Sequence, residues 1–264
     1  MRITTWNINS LRLRLDQVLR LLDVVAPDVL CLQEIKAEDH QVPVAALADA
    51  GYPYVALRGF KGYNGVATFS RQPLTPAPHH DWCGRADGRH VAASLADGLE
   101  IHNFYVPAGG DVPDPAENDK FAHKLDFVTE LQDWFAKNRK KDDALVAVGD
   151  FNIAPLETDV WSHKQLLKVV SHTPIEVDHL NELQSAFDWF DAVRAIIPPE
   201  EKVYTWWSYR ARDWEAADRG RRLDHIWVTQ PLAANVKHAE VIKPARGWEP
   251  KPSDHCPVFV DLAF

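Results

Sequence analysis

The sequence predicts a layered α/β domain. Short apolar runs that read as buried strands alternate with amphipathic helical stretches, and hairpin turns occur beside longer crossovers. No low-complexity linker and no repeat of solenoid period divides the chain, so residues 1–264 are read as one domain. A composition of 46% hydrophobic and 25% charged residues excludes a collagen-like chain, a disordered tail or a disulfide mini-protein.

Ile3 to Ile8 opens the chain as a strand. Leu11, Leu15, Val18 or Leu19, and Leu22 then share one helical face, and Pro27 ends that helix. The run Val29-Leu30-Cys31-Leu32 reads as a buried strand. Asn64-Gly65 is a turn signal ahead of the strand Val66-Ala67-Thr68-Phe69, and strands follow near Val91–Leu95 and Glu100–Val106. The clearest helix covers Glu117 to Lys137. Phe121, Leu125, Val128, Leu131 and Phe135 recur along it at helical spacing, and Lys137, Arg139, Lys140 and Lys141 suit its C-terminal end. Leu145-Val146-Ala147-Val148, bounded by Asp143 and Gly149, is a further buried strand. The chain closes with strands near Ile226–Thr229, Val236–Ile242 and Pro257–Phe264, the last with Val258, Val260, Leu262 and Phe264 on one face.

Several classes are excluded. No apolar run approaches the roughly 18 residues that cross a bilayer, so no membrane association is expected. Met1 to Trp6 reads as a strand rather than as a secretory signal. Cys31, Cys83 and Cys256 are widely spaced and odd in number, which suits a reducing cytoplasm. The net charge of −9 opposes phosphate binding at first sight. Only charge within a Debye length of roughly 8–10 Å matters, however. Arg210, Arg212, Arg219, Arg221 and Arg222 cluster in one stretch, with Lys237, Lys243, Arg246 and Lys251 further on.

Polar residues that directly follow apolar runs carry most of the chemistry. Asn7 and Asn9 close the first strand, Glu34 follows the second, Tyr105 ends Ile101-His102-Asn103-Phe104, and Asp150 and Asn152 follow Val146-Ala147-Val148-Gly149. Asp224 precedes Ile226-Trp227-Val228, and Ser253-Asp254-His255 precedes the last strand. Strands lying side by side would gather these groups at one edge. Without a Cys or His cluster the set does not suit zinc; its oxygens suit a hard cation such as Mg²⁺ or Mn²⁺. One His with a neighbouring Asp then adds what metal-assisted phosphodiester hydrolysis needs. No phosphate-cradling glycine loop is present. Trp206-Trp207 reads either as core or as a base-stacking platform, and Asn7 either as a ligand or as a helix cap.

Five segments resemble the exonuclease III family of apurinic/apyrimidinic endonucleases. They are Thr5-Trp6-Asn7-Ile8-Asn9-Ser10-Leu11-Arg12, Leu32-Gln33-Glu34-Ile35-Lys36, Gly149-Asp150-Phe151-Asn152-Ile153-Ala154-Pro155, Arg222-Leu223-Asp224 and Ser253-Asp254-His255-Cys256-Pro257. The resemblance runs in order from Met1 to Phe264. The wider endonuclease–exonuclease–phosphatase superfamily shares the Asn, Glu, Asp-x-Asn and Ser-Asp-His elements, and the Asn-Ser-Leu-Arg and Leu-Gln-Glu-Ile-Lys blocks resemble its DNA-repair branch.

The resemblance implies a four-layer α/β sandwich, two mixed β-sheets packed face to face and flanked by helices, with the site at one end of the sheets. It implies Glu34 as the main Mg²⁺ ligand, with Asn7 and Asp254 and further ligands drawn from Asp150, Asn152 and His255, and with Mn²⁺ as a substitute. Asp150 resembles the group that orients or deprotonates water, Asn152 and Tyr105 resemble phosphate contacts, and His255 with Asp224 resembles the phosphate-polarising pair. The pattern leaves the general base open. Trp206 and Leu223 match the pocket for a flipped-out abasic sugar, and Arg89, Arg210, Arg221 and Arg222 match DNA contacts. One departure stands out: Tyr105-Val106-Pro107 is followed by Ala108 and Gly109-Gly110, where the family commonly carries a phosphate-donating amide.

The implied activity is Mg²⁺-dependent hydrolysis 5′ of abasic sites and from 3′ ends of duplex DNA, with removal of 3′ blocking groups, by a monomer. A superfamily phosphatase on inositol phosphates or lipid headgroups, and a non-catalytic DNA-binding relative, are the competing expectations.

Overall fold

The computed structural model describes residues 1–263, so Phe264 lies outside the described residues. Alternating apolar side chains pair the strands into two six-stranded mixed sheets. The first runs β13 (Val236–Val241), β14 (Val258–Leu262), β1 (Arg2–Asn7), β2 (Val29–Gln33), β4 (Val66–Ser70), β3 (Tyr54–Arg58). The second runs β5 (Leu74–Pro76), β6 (His90–Leu95), β7 (Glu100–Tyr105), β8 (Leu145–Asp150), β12 (Asp224–Val228), β9 (Phe190–Asp191). A two-stranded ribbon, β10 (Trp206–Trp207) with β11 (Gly220–Arg221), stands apart. Only β1–β2 and β7–β8 pair in parallel among the strand pairs of the two sheets.

Three apolar layers hold this together. Ile3, Val29 and Val258 from one sheet meet Ile101, Val146 and Ile226 from the other, forming the core between the sheets. On the outer face of the first sheet, Trp6, Leu30 and Phe69 pack under Val18, Leu21 and Leu22 of α1 (Leu15–Val25) and Leu47 of α2 (Val44–Asp49). On the outer face of the second, Phe104 and Ala147 pack under Phe127 and Leu131 of α3 (Asp119–Asn138). α4 (His163–Leu166) is a single turn, and α5 (Pro174–Ala186) lies beside α3 with Leu180 and Leu183 in the same layer. The sandwich implied by the family resemblance is the one observed. Among the described residues no helix is long and apolar enough to cross a membrane.

Three differences from the sequence reading have physical causes. The first helix starts at Leu15 rather than near Leu11: Leu11 is buried in the preceding turn, where the Arg14 guanidinium donates to Lys251 O and Ile8 O. β3 and α5 carry weaker apolar patterns, and both escape periodicity. α5 nevertheless carries a start signal, a capping box of Thr173 and Glu176 with Pro174 in its first turn. Asn64-Gly65 ends the long β3–β4 loop instead of forming a two-residue hairpin.

Gly149 is the backbone position on which the second sheet's edge depends. Its φ is +139°, and a Cβ there would lie 2.0 Å from Phe104 O. That close approach brings Asp150 level with Tyr105 on β7 and with Asp224 on β12. Gly149→Ala is expected to destabilise the protein by more than about 2 kcal/mol, read from the urea midpoint, because the strand must move to make room.

Candidate active site

The two sheets end together, and their last residues face one another. In the second sheet Tyr105, Asp150 and Asp224 form one row across three strands. In the first, Asn7 pairs with Gln33, and Glu34 follows. Beneath this edge the apolar core gives way to a buried polar ladder: the Gln33 amide donates to Thr5 Oγ1 (3.0 Å) and to Asn103 Oδ1 (2.7 Å). Asn9, Glu34, Lys36 and Asn152 all take left-handed backbone conformations with φ near +50°. Such strained positions gather where side-chain aim is worth more than local stability.

Asn7 is the bridge between the sheets. Its fully buried amide donates to Glu34 Oε1 (2.8 Å) and to Asp150 Oδ2 (2.8 Å), while its oxygen accepts the Asn9 N–H (3.1 Å). Asp150 also accepts from the Asn152 N–H (2.9 Å) and the Asn152 side chain (3.2 Å). His255 Nδ1 lies 2.9 Å from Asp224 Oδ2, and its Nε2 lies 3.7 Å from Asp150 Oδ2. Asp224 Oδ1 is buried without a hydrogen-bond partner among the described residues.

Charge follows from this crowding. Burial favours a neutral His255, but the carboxylates of Asp224 and Asp150 outweigh it and raise its pKa to about 10. Burial pushes the Asp150 carboxyl up; the His255 charge opposes this, and Asp224 and Glu34 add to it. Burial also works against ionised Glu34, but Lys36, at 2.9 Å, and the Asn7 amide prevail and hold it below the ordinary range. Burial, followed by the charges of Glu34 and Asp150, drives the Tyr105 phenol well above 10, so it stays a proton donor.

Carboxylate oxygens of Asp150 and Asp224 lie within 4.8 Å of each other and of the His255 ring, which as a cation donates hydrogen bonds and offers no lone pair. With Glu34 alongside, the donors are chiefly carboxylate oxygens, and the orphan oxygen of Asp224 leaves capacity for a divalent cation. Asp254 also lines the cavity: Oδ1 accepts from the Asn9 side chain (3.1 Å) and Oδ2 from the Trp206 indole N–H (2.9 Å), which leaves acceptor capacity on both oxygens. It braces the aromatic wall.

A cavity of about 660 Å³ opens above these groups, lined by Glu34, Tyr105, Asn152, Trp206, Leu223 and His255 among others. Both tryptophans border the cavity, Trp206 half-buried and Trp207 almost wholly buried, packed as core against Tyr204 and Cys256. Arg210 lines the rim, exposed, and Arg221 stacks 5.2 Å over Trp206. Arg89 lies behind Tyr105, paired with Asp87 (2.6 Å). Arg222 corrects the sequence expectation of a DNA contact. It is 1% exposed and is held by Asp159 and by Asp191, each at 2.7 Å, so it is a structural cation under the floor. Trp161, with Arg219 stacked over it at 4.8 Å, belongs to the cavity wall and was not singled out by sequence reasoning, which had no run or motif to mark it.

The sequence profile of the Endonuclease/Exonuclease/phosphatase family matches residues 4–255. The chain belongs to this family. It is 30% identical to exodeoxyribonuclease III of Haemophilus influenzae, over 99% of this chain and all of that one. Its fold matches an AP endonuclease from Archaeoglobus fulgidus with a TM-score of 0.93 and 31% identity, covering 100% of both chains. A 3′-5′ exonuclease from Neisseria meningitidis follows at 0.89 and 32%, again with 100% of both chains. Membership bears out the resemblance seen in the sequence and makes the chain a hydrolytic enzyme with a nuclease's relatives.

The Asp224 carboxylate raises the His255 pKa, so removing its charge must lower it. In the parent, ring NMR is expected to show His255 cationic from neutral pH up to about 10. In Asp224→Asn the titration is expected to move down toward the ordinary histidine value of 6.5. The stabilisation this pair contributes is full below that ordinary value and is lost as pH rises through the folded-state pKa, so the variant's melting temperature should vary less over that window.

Proposed function

We propose that this chain is a Mg²⁺-dependent DNA-repair nuclease that hydrolyses phosphodiesters 5′ of abasic sites and from the 3′ ends of duplex DNA, and that also removes 3′ blocking groups. The observation that carries this reading is the row of Tyr105, Asp150 and Asp224, completed by His255, at the mouth of an aromatic cavity.

In this reading Glu34 and Asp150 would hold the cation, with Asn7 fixing both carboxylates. Bound magnesium supplies charge neutralisation at the scissile phosphate, and manganese shares its preference for oxygen ligands. The Asp150 carboxylate, aimed by the Asn7 and Asn152 amides, takes the proton of the attacking water. His255, kept cationic and oriented by Asp224, donates from Nε2 to the phosphate oxygen on which negative charge grows. The Tyr105 phenol adds a second donor; as the water oxygen adds, the P–O3′ bond breaks and the departing 3′ oxygen takes a proton from solvent.

Trp206 and Leu223 offer an apolar face to a deoxyribose that lacks its base, and the missing base makes extrusion cheap. Ala108 offers no side-chain donor, so phosphate contact on that side falls to the main chain of the Gly109-Gly110 turn. Exposed Arg210, Arg212 and Arg219 supply local positive charge on a chain of net charge −9, and position the backbone without reading sequence. The chain is read as a monomer working in a reducing cytoplasm, where free Cys31, Cys83 and Cys256 stay reduced.

A short duplex with one abasic site tests the reading. Incision with Mg²⁺, loss in EDTA, and a fall in kcat of at least ~10²-fold for Asp150→Asn and for His255→Ala are expected. Turnover of a phosphoinositide in preference to the duplex, or full activity in either variant, would refute it. The arginines separate likewise. Arg222→Ala should cost about 3–5 kcal/mol of stability, measured by denaturant titration. Arg210→Ala should leave stability within about 0.5 kcal/mol and lower the salt slope of DNA binding by about one.

A further inference from the structure

A buried ion pair under the site has no part in the chemistry above. Lys124, on α3, and Glu176, in the first turn of α5, are both 0% exposed and are bonded to each other. The Glu176 carboxylate also accepts the Ser171 N–H on both oxygens (2.9 Å each), the Thr173 N–H (3.2 Å) and the Thr173 hydroxyl (2.6 Å). The Lys124 ammonium has three protons. Beyond Glu176 it donates to two main-chain carbonyls, Asn152 O (2.8 Å) and Ala108 O (3.3 Å).

Those partners belong to three different loops, the ones after β7, after β8 and before α5. Ala108, Asn152 and Ser171 each line the cavity. Packing reinforces the link. A Cβ on Gly109 would lie 3.0 Å from the Lys124 stem, so the glycine turn closes onto the lysine. Ser171, at φ +91°, accepts Arg221 Nη1 on its hydroxyl (2.7 Å) and so fixes the guanidinium that covers Trp206.

Stability alone does not account for such a pair, because two apolar side chains of similar volume often serve as well. Nor does the helix start require it, since glutamine can complete the capping box in place of glutamate. The Lys124 ammonium donates at once to the carbonyls of two loops at the cavity while Glu176 balances its charge, which a pair of apolar side chains would not do.

We propose that Lys124, anchored by Glu176, is a positioning residue that sets the Asn152 and Ala108 loops against the reacting centre. Through Asn152 O it holds the amide that aims Asp150, and through Ala108 O it shapes the turn that replaces a missing side-chain donor. The proposal rests on the reading of Asp150 and Asn152 given above.

The test compares the parent with Lys124→Met/Glu176→Gln, which removes both charges and keeps the cap. Abasic duplex and bis(p-nitrophenyl) phosphate are the two substrates, with Mg²⁺. The double variant is expected to melt as cooperatively as the parent and to lose about 10-fold or more in kcat, since small misplacements have that effect. KM, and the Kd for the duplex in EDTA, are expected to stay within about twofold. Lys124→Arg keeps the charges but changes the donor geometry, and should lose about threefold or more.

A folded double variant with parental kcat would overturn the proposal, and so would parallel losses of kcat, Kd and melting temperature. If the double variant does not fold, Lys124→Arg decides, and unchanged kcat overturns it. A parent inert on both substrates would instead sink the reading of the site itself, and the proposal with it.

Discussion

Asp150 and Asp224 stand directly across from each other on neighbouring strands, both almost wholly buried. Two carboxylates so placed repel, and each loses hydration that a low-dielectric interior does not return. His255 between them and the Asn7 amide beside them are what make the arrangement tolerable. The rest of the structure serves this compromise. Gly149 lets β8 approach β7, the Thr5–Gln33–Asn103 ladder satisfies the polar groups behind, and the left-handed residues at Asn9, Glu34 and Asn152 turn side chains inward.

The same physics divides the basic residues. A guanidinium costs little at a rim where water and phosphate compete for it, and Arg210 sits there. Arg222 lies two residues before Asp224 on the same passage of chain, yet it is enclosed with Asp159 and Asp191. Its neighbour Arg221 faces the cavity. Alternation along an extended segment explains why adjacent arginines have opposite fates. The overall charge of −9 describes neither of them.

Much of the site was legible because polar residues at the ends of apolar strands have few other reasons to be there. Asn7, Glu34, Tyr105, Asp150, Asp224 and His255 all follow that pattern, and the structure brings them together. Less legible were residues whose role depends on a partner far along the chain. Lys124 lies amid a helical stretch that reads as amphipathic, and nothing local says that it points inward to Glu176. Asp254 stands beside His255 in sequence but binds the Trp206 indole and the Asn9 amide. β3 was missed because its side chains are mostly half-exposed and lack a sharp alternation.

The amino-acid sequence by itself determined where most strands and the long helix lie, since apolar spacing and turn residues act over a few positions. It also determined the kind of chemistry available, through the types of polar group at strand ends. The tertiary structure alone decided which charges face each other, because pKa, ligand capacity and access depend on distances of a few ångströms between residues from 31 to 245 positions apart. It made Arg222 a strut, Asp254 a brace and His255 a cation, three outcomes that burial and pairing create and that no local pattern contains.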